Sequence, residues 1–261
     1  MDKRRIIYYS DELNDEFSVT PLQDRYIDEN YVYIQKSFIK RLTHLFWYRA
    51  VAMPLAYLYT RTTFAHEIRN AEVMEPYKDV GYFLYGNHTQ DIADALIPNM
   101  IDKGRDKYVV VNPANLNVKP IGPILPSLGA LPLPGNLKAN RNFTDAISKR
   151  IGEGAGIVIY PEAHIWPYYT HIRPFKDTSF EYPIRMSAPT FCFTNTYHKK
   201  KHGREPKIIT YVDGPFFADE GLPPRERRKD LRDRVYEKMK ERAALSTFKV
   251  IEYIKKENEN G

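Results

Sequence analysis

The sequence predicts an α/β protein with a mostly parallel central sheet flanked by helices and preceded by an N-terminal helical extension. From Val80 onward, short apolar runs typical of buried strands alternate with segments whose apolar residues recur at helical spacing. This alternation favours parallel strands, because a crossover helix must return the chain to the start of the next strand. Upstream, residues 31–70 have a mainly helical pattern that is interrupted at Pro54.

The individual elements are predicted from local patterns, in chain order. Residues 1–30 form a polar leader with one short strand, RRIIYYS. The strands predicted after the leader are GYFLYG (81–86), KYVVV (107–111), ALPLPG (130–135), GAGIVIYPE (154–162), APTFCFTNTY (188–197) and KIITYVDG (207–214). The helices predicted between and after them are TQDIADALIPNMI (89–101), NFTDAISKRI (142–151, with Asn142 as N-cap) and the closing segment 223–248. In the closing helix, Leu231, Val235 and Met239 recur at four-residue spacing and mark its buried face.

The predicted domain organisation has two parts. The chain of 261 residues is long enough for one large domain with its own core. Its sequence contains no internal repeat and no low-complexity linker. We therefore expect a leader and helical extension over residues 1–70, followed by a single α/β domain over residues 71–261.

Charge and cysteine content restrict the partners and the compartment. Thirty-nine basic residues against 33 acidic ones give a net charge of +6, which favours anionic partners such as phosphates, a membrane surface or nucleic acid. Cys192 is the only cysteine, which excludes an internal disulfide and a cysteine-based metal cluster. The first thirty residues are charged and rich in tyrosine, unlike a secretory signal, and they predict a cytoplasmic protein.

Two stretches bear on contact with a membrane. The uncharged run Pro120–Leu137 contains five prolines and three glycines, which would break a spanning helix repeatedly. The stretch Phe38–Arg61 mixes aromatic residues and leucines with flanking Lys and Arg, a composition typical of a helix that lies in a membrane interface. Packing of this stretch on the protein's own core is an equal alternative.

Several familiar motifs are absent from the sequence or lie in the wrong context. The segment GEGAG at 152–156 precedes a strand, whereas a dinucleotide-binding loop must follow one, so it is interpreted as a helix-to-strand turn. The sequence has no phosphate-binding P-loop, no G-x-S-x-G elbow and no H-E-x-x-H zinc motif. The basic run Lys199–Lys207 is interpreted as a solvated loop, and a nucleic-acid partner is not expected.

Candidate catalytic residues follow the strand GYFLYG. In open α/β sheets, ligands bind at the carboxyl ends of the strands, and Asn87 and His88 lie at such an end. A histidine can act as a general base at neutral pH when a carboxylate holds one ring nitrogen. Asp91 and Asp94 both follow within a turn or two, on a helix expected to begin near Thr89. The alternative is that His88 satisfies backbone groups while Asp91 caps the helix.

A second group of polar residues follows the strand GAGIVIYPE. Glu162 ends this strand, and Arg173 and Lys176 come soon after it. Between the two strand ends, the Pro/Gly-rich apolar run is followed by Lys138 and Arg141. Cations beside an apolar loop suit a substrate with a phosphate at one end and a hydrocarbon tail at the other.

These blocks, in this order, resemble the lysophospholipid and glycerol-phosphate acyltransferases, of the 1-acyl-sn-glycerol-3-phosphate acyltransferase type. NHTQDIAD (87–94) resembles the family's Asn-His-x4-Asp block, YPEAH (160–164) its Phe-Pro-Glu-Gly-Thr block, and FKDTSF (175–180) its Phe-Lys-x-Gly-(Ala)-Phe segment. Pro189 stands where the family has Val-Pro, and KIITYVDGPF resembles its closing strand. The resemblance covers residues 80–216, and the helical stretch before it resembles the family's membrane-associated entry.

The sequence departs from the family pattern at three points. Five residues, not four, separate His88 from Asp94, so a bulge or a shifted helix start is needed to pair them. The family's glycine and threonine are replaced by Ala163 and His164. A family arginine falls near Ile165 or Trp166, where Arg173 is the candidate substitute.

The resemblance implies a cytoplasmic enzyme, peripheral on the membrane, that moves a fatty acyl group from acyl-CoA or acyl carrier protein to the hydroxyl of a lysophospholipid. It implies His88 as base and Asp94 as its orienting acid, with Asp91 as the alternative acid. Backbone N–H groups at the helix start, including that of Thr89, are candidates to hold the oxyanion. The candidate substrate-binding residues are Glu162 for hydroxyls and Arg141, Arg173 and Lys176 for phosphate. No metal and no bound cofactor are expected. A lipid ester or thioester hydrolase, and a non-catalytic lipid-binding protein of the same fold, remain open alternatives.

Overall fold

The computed structural model describes residues 5–17, 25–34, 46–203 and 205–256. A seven-stranded sheet forms its centre, in the order β2-β8-β7-β3-β6-β4-β5. These strands are β2 (Glu67–Arg69), β3 (Tyr82–Gly86), β4 (Lys107–Val111), β5 (Ala130–Pro132), β6 (Gly156–Ile159), β7 (Thr190–His198) and β8 (Lys207–Phe216). Only β7 and β8 pair antiparallel within this sheet, so the predicted mostly parallel α/β sheet is confirmed.

Helices cover both faces of the sheet. They are α1 (Met53–Phe64), α2 (Ala93–Ile101), α3 (Leu137–Gly152), α4 (Glu181–Arg185) and α5 (Pro224–Ala243). Successive residues of β3 point to opposite faces, so Leu84 packs with α1 and α2 while Tyr85 packs with α3 and α5. The predicted buried face of the closing helix is confirmed, since Leu231, Val235 and Met239 all lie in the core.

Two helix starts differ from the sequence prediction. The first helix after β3 begins at Ala93 rather than near Thr89, because residues 89–92 form a turn. The next helix begins at Leu137, and its N-cap is Asn136, whose side chain accepts a hydrogen bond from the backbone N–H of Ala139 at 2.8 Å. The prediction of Asn142 as N-cap was therefore wrong. Asn142 lies inside the helix and donates its side-chain amide to the carbonyl of Glu29.

The two outer strands of the chain form a second, small sheet. β1 (Arg5–Tyr9) was predicted, and it pairs in parallel with β9 (Ile251–Lys255), which was not. This two-stranded sheet is separate from the central one. It places residues from both ends of the described chain against the loop that follows β6.

The helical stretch before the central sheet is described only from Phe46. A π-helical segment, Phe46–Ala52, leads directly into α1, and Pro54 lies in the first turn of that helix. The first part of the predicted interfacial stretch, residues 38–45, lies outside the described residues. Within the described ranges, none of the helices is both long and apolar enough to cross a membrane. The prediction of a mainly helical stretch up to residue 70 was wrong at its end, because Glu67–Arg69 forms β2, which pairs with β8 as an edge strand of the central sheet.

Candidate active site

Three neighbouring strands of the central sheet supply the residues of the candidate site near their carboxyl ends. β3 lies between β6 and β7, and all three run parallel. Asn87 and His88 follow β3, Glu162 follows β6, and Asn195 lies on β7 two residues beyond the partner of Gly86. The chain can come this close because Gly86 lacks a side chain: a Cβ there would lie 2.2 Å from the Phe193 ring.

His88 is paired with Asp94, as the shifted helix start allows. The Nδ1 atom of His88 lies 2.9 Å from Oδ2 of Asp94, and the two side chains are 19% and 2% exposed. The turn at 89–92 absorbs the additional residue between them. Asp91, the alternative acid, is exposed, and the carboxylate bonded to His88 is that of Asp94.

Backbone N–H groups of the turn after β3 are hydrogen-bonded to the side chain of Asp94. Oδ2 of Asp94 also accepts hydrogen bonds from the backbone N–H groups of Thr89 at 2.8 Å and Gln90 at 2.9 Å. The N–H of His88 donates to Glu162 instead, at 3.0 Å. These N–H groups therefore have partners already, which corrects the expectation that the N–H of Thr89 is free to hold an oxyanion.

The environment of Asp94 keeps a buried carboxylate tied to the imidazole. Burial raises the pKa of Asp94, while its hydrogen bonds to His88 and to the two backbone N–H groups act in the opposite direction. The His88 ring stacks on Tyr160, with centroids 4.5 Å apart and planes at 21°. The Tyr160 hydroxyl donates to the backbone carbonyl of Asp94. Within the described part of the chain, Nε2 of His88 has no hydrogen-bond partner and is the free end of the ring.

Glu162 and Arg173 form a buried pair beneath His88. Both side chains are fully buried, and Nη2 of Arg173 lies 3.8 Å from Oε2 of Glu162. The other carboxylate oxygen of Glu162 accepts the backbone N–H of Arg173 at 2.9 Å. Burial raises the pKa of Glu162, and the nearby guanidinium opposes that rise. Neither side chain is open to a ligand in this structure: Glu162 accepts the backbone N–H of His88, and Arg173 is paired with Glu162.

The guanidinium of Arg173 joins the loop after β6 to the N-terminal segment. It donates to the carbonyls of Glu12 and Glu162, each at 3.1 Å, and to that of His164. Its carbon Cζ lies 5.0 Å from the centroid of the Trp166 ring. Trp166 is one of the two positions near which the arginine of the resembled family would fall, and its ring lies under the guanidinium of Arg173, the candidate substitute.

Trp166 anchors the loop over the site. Its backbone N–H donates to the carbonyl of His88 at 3.1 Å, and its Nε1 donates to the carbonyl of Asp15 at 2.7 Å. Its ring stacks on Tyr253 of β9 at 5.1 Å. Three more rings complete this cluster: Tyr9, Phe17 and Tyr169. The small β1–β9 sheet thus holds the loop that holds His88.

Ala163 occupies the position of the family's glycine with a glycine-like backbone. Its φ is 65°, in the left-handed region that a Cβ disfavours. The backbone at Ala163 therefore has the conformation that a glycine adopts most readily.

The remaining candidate cations are exposed. Arg141 lies in the second turn of α3, and Lys176 follows the loop after β6. Both segments begin at the carboxyl edge of the parallel strands, the edge that carries His88. No cluster of three or more His, Cys, Asp or Glu that could hold a metal ion occurs among the described residues.

A cavity of about 180 Å³ adjoins the turn at 89–92. Tyr59 and Phe64 of α1 form one wall, Asp91 and Ile92 another, and Tyr168 a third. A larger cavity of about 430 Å³ lies farther along α1, with His66 and Lys103 in its lining.

Sequence reasoning missed two residues of the site, Tyr160 and Asn195. Asn195 donates its side-chain amide to Oδ1 of Asp94 at 3.3 Å. An asparagine in an otherwise apolar and hydroxyl-bearing strand was the available signal, because a buried amide needs partners. Tyr160 immediately precedes Pro161 and Glu162, but its stacking on His88 depends on the pairing of β3 with β6.

Comparisons with known proteins show likeness in fold. No protein-family model matches the chain, and no curated protein matches it. A solved structure, the 1-acyl-sn-glycerophosphate (LPA) acyltransferase PlsC from Thermotoga maritima, matches with a TM-score of 0.53. The match covers 80% of this chain and 97% of that one at 16% sequence identity. The chain therefore has a fold that resembles that of an LPA acyltransferase.

Proposed function

We propose that the protein is a glycerolipid O-acyltransferase that acts in phospholipid synthesis at a membrane surface. It transfers a fatty acyl group from acyl-CoA or acyl carrier protein to the hydroxyl of a lysophospholipid such as 1-acyl-glycerol-3-phosphate. The observation that carries the proposal is the His88–Asp94 pair, with Nδ1 held at 2.9 Å and Nε2 free. The likeness of the fold to an LPA acyltransferase supports the same reaction class.

The proposed reaction is a general-base acyl transfer. Asp94 accepts a hydrogen bond from the Nδ1–H group of His88, so the lone pair of the ring is on Nε2 and takes the proton of the acceptor hydroxyl. The hydroxyl oxygen attacks the thioester carbonyl and forms a tetrahedral intermediate. The carbon–sulfur bond then breaks, and the imidazolium returns its proton to the departing thiolate. The products are an ester and a free thiol.

The buried carboxylate of Asp94 is suited to this cycle because it stabilises the transient imidazolium where water does not compete for its hydrogen bonds. Its Oδ2 atom already accepts two backbone N–H groups, which fix its position before the substrate arrives. Stacking on Tyr160 restricts rotation of the imidazole ring. We assign the acceptor's phosphate to the exposed cations Arg141 and Lys176, and we assign Glu162 and Arg173 to the support of the His88 backbone.

The proposed membrane contact is the π-helical segment and α1. Their exposed apolar side chains are Phe46, Trp47, Leu55, Tyr57 and Leu58. An aromatic and leucine-rich helical face of this kind suits shallow insertion at the headgroup level. The cavity of about 180 Å³ lies between α1 and the turn beside His88, so a lipid held at α1 is close to the base.

The test is acyl transfer from a labelled long-chain acyl-CoA, and in parallel from acyl carrier protein, to lysophosphatidic acid and a panel of other lysolipids in vesicles. Replacing His88 with alanine should lower turnover by roughly 10²–10⁴, the usual contribution of general-base catalysis. Asp94→Asn should also lose most activity. Glu237→Gln is the matched control, since this exposed carboxylate lies on α5 and is not part of the cavity lining.

Three other outcomes contradict the proposal. Release of free fatty acid without transfer would identify a hydrolase. Lipid binding by wild type and His88→Ala alike, with no turnover by either, would identify a non-catalytic lipid-binding protein. Full activity of His88→Ala would remove His88 as the base.

A further inference from the structure

A line of buried hydrogen bonds extends behind Asp94, away from His88. Asn195 of β7 donates Nδ2 to Oδ1 of Asp94 at 3.3 Å, and its own Oδ1 accepts from the hydroxyl of Thr210 on β8 at 2.6 Å. The Thr210 oxygen lies 2.8 Å from Nε2 of His66, between α1 and β2. All of these side chains are buried. The line therefore runs from Asp94 on α2 across β7 and β8 to His66, next to the edge strand β2.

We propose that Asn195 and Thr210 are positioning residues, which hold Asp94 oriented toward His88 through this line of hydrogen bonds ending at His66. The inference rests on the proposed function, because it assigns a role in the action of the same His88–Asp94 pair. It adds two residues that touch neither the base nor a substrate and that the family resemblance did not point to.

The direction of every proton along the line follows from the carboxylate. An ionised Asp94 only accepts, so Asn195 must present its NH₂ group to Asp94 and its carbonyl oxygen to Thr210. The Thr210 hydroxyl donates its one proton to that oxygen and must itself accept from His66. Burial lowers the pKa of His66 to about 4, so at neutral pH this ring is uncharged and carries its proton on Nε2. The reverse orientation would set two acceptor oxygens against each other at Asp94.

Asn195 is placed where its loss has a specific effect. The Oδ2 atom of Asp94 has three donors, from His88, Thr89 and Gln90, whereas among the described residues Oδ1 has Asn195 alone. Without that donor the carboxylate is less well stabilised, and it attracts the proton of the pair more strongly. The backbone of Asn195 is also held, since Asn87 accepts its N–H at 2.8 Å and donates to its carbonyl at 3.1 Å.

Other ionisable groups also surround the His88–Asp94 pair, and they are unchanged in the variants below. The loop after β6 supplies the Glu162–Arg173 pair, β6 ends at the stacked Tyr160, and β7 carries Tyr197, whose hydroxyl donates to Oγ1 of Thr89 at 2.7 Å. The turn after β3 carries the exposed Asp91. A difference between wild type and variant therefore reports the lost hydrogen bond alone.

The test measures the protonation of His88 by ¹H–¹⁵N NMR titration, with its signals identified by their loss in His88→Gln. Asn195→Leu, which keeps the volume and removes the amide, should raise the titration midpoint of the His88–Asp94 pair by about one pH unit. Thr210→Val should shift it in the same direction, and Thr210→Ser should restore it. Thr194→Val is the matched control, since this buried hydroxyl on β7 has no hydrogen-bond partner among the described residues.

The acid limb of the pH profile for acyl transfer should move by the same amount, so that turnover at a pH on this limb, well below both midpoints, falls about tenfold in Asn195→Leu. Unchanged midpoints in Asn195→Leu and Thr210→Val, with thermal unfolding like that of wild type, would overturn the inference. If Asn195→Leu does not fold, the pair Thr210→Val and Thr210→Ser decides. NMR shifts as expected in a protein that transfers no acyl group would reject the proposed function and retain the positioning line.

Discussion

Removing the guanidinium of Arg173 should destabilise the protein far more than removal of an ordinary surface charge. Arg173→Met leaves the Glu162 carboxylate fully buried with its cation gone, and it also removes the donors to the carbonyls of Glu12 and Glu162. Breaking a buried ion pair from one side typically costs about 3–5 kcal/mol. Against a total stability of about 5–15 kcal/mol for a folded domain, that is a large fraction.

The effect should depend on pH with a defined sign. Burial already raises the pKa of Glu162 in the folded protein, and loss of the guanidinium raises it further. The folded variant then binds a proton more tightly than the unfolded chain does. The contribution of this proton to the stability of the variant is therefore fully present at low pH and is lost as pH rises through the folded-state pKa of Glu162. The deficit relative to wild type should be largest at neutral pH and should shrink on acidification.

Urea unfolding of wild type and Arg173→Met at neutral and mildly acidic pH measures both quantities. The matched control is Arg234→Met, which removes an exposed guanidinium 2.7 Å from Asp230 on α5 and should cost at most about 1 kcal/mol. A deficit for Arg173→Met no larger than that of the control, or one that does not change with pH, would refute the reasoning. Adding Glu162→Gln to Arg173→Met should recover part of the loss, because the double variant has no buried charge at this place.

Three further outcomes are expected. Ala163→Gly should stabilise the protein by about 0.5–1 kcal/mol in denaturant unfolding, because it relieves a left-handed backbone at φ 65°, and destabilisation would contradict this account. Burial lowers the pKa of Lys107 to about 8, so between about pH 8 and pH 10.5 the unfolded chain binds more protons than the folded protein, and the free energy of unfolding of wild type should rise with pH. Lys107→Met should remove this rise. Identical slopes of unfolding free energy against pH for both proteins would argue against this account. Leu55→Ser combined with Leu58→Ser should weaken the affinity for anionic vesicles, measured by co-sedimentation, at least tenfold (about 1.4 kcal/mol). The control Leu245→Ser changes an exposed residue after α5, on the other face of the sheet, and should leave the affinity unchanged. Equal losses in both proteins would remove α1 as the membrane contact.

The sequence predicted those features of the fold that depend on local pattern. Strand and helix periodicity located six of the seven central strands within a few residues, but it missed β2, which lies in a stretch predicted to be mainly helical. The spacing of Leu231, Val235 and Met239 predicted a buried face that is confirmed. The pairing of β1 with β9 could not be predicted, because it joins segments far apart in the chain that have no distinctive pattern. Helix starts were less certain for a similar reason: Asn136 and Asn142 are both acceptable caps locally, and the packing of α3 decides between them.

Residue type and position after a strand predicted some residues of the candidate site, whereas others could not be predicted from the sequence. A histidine and an acid after a strand located His88 and Asp94, although the sequence alone left Asp91 open. Charge was a poor guide to exposure, since Glu162 and Arg173 neutralise each other in the interior while Arg141 and Lys176 are exposed. Asn195 was missed because its partners, Asp94 on α2 and Thr210 on β8, are far from it in the sequence. Only the order of the strands in the sheet brings these three residues together.

Because β1 pairs with β9, this small sheet can form only when almost all of the given sequence has been synthesised. Tyr9 leaves the ribosome about 240 residues ahead of Ile251, and at roughly 5–20 residues per second the first strand waits about 10–50 s for its partner. During that interval the central sheet can already form, but Trp166 lacks the stacking partner Tyr253 that β9 supplies. The loop over His88 is therefore among the last parts of the described chain to reach its final packing. A nascent chain that still lacks β9 therefore contains His88 and Asp94 but lacks the Trp166–Tyr253 contact that packs the loop against them.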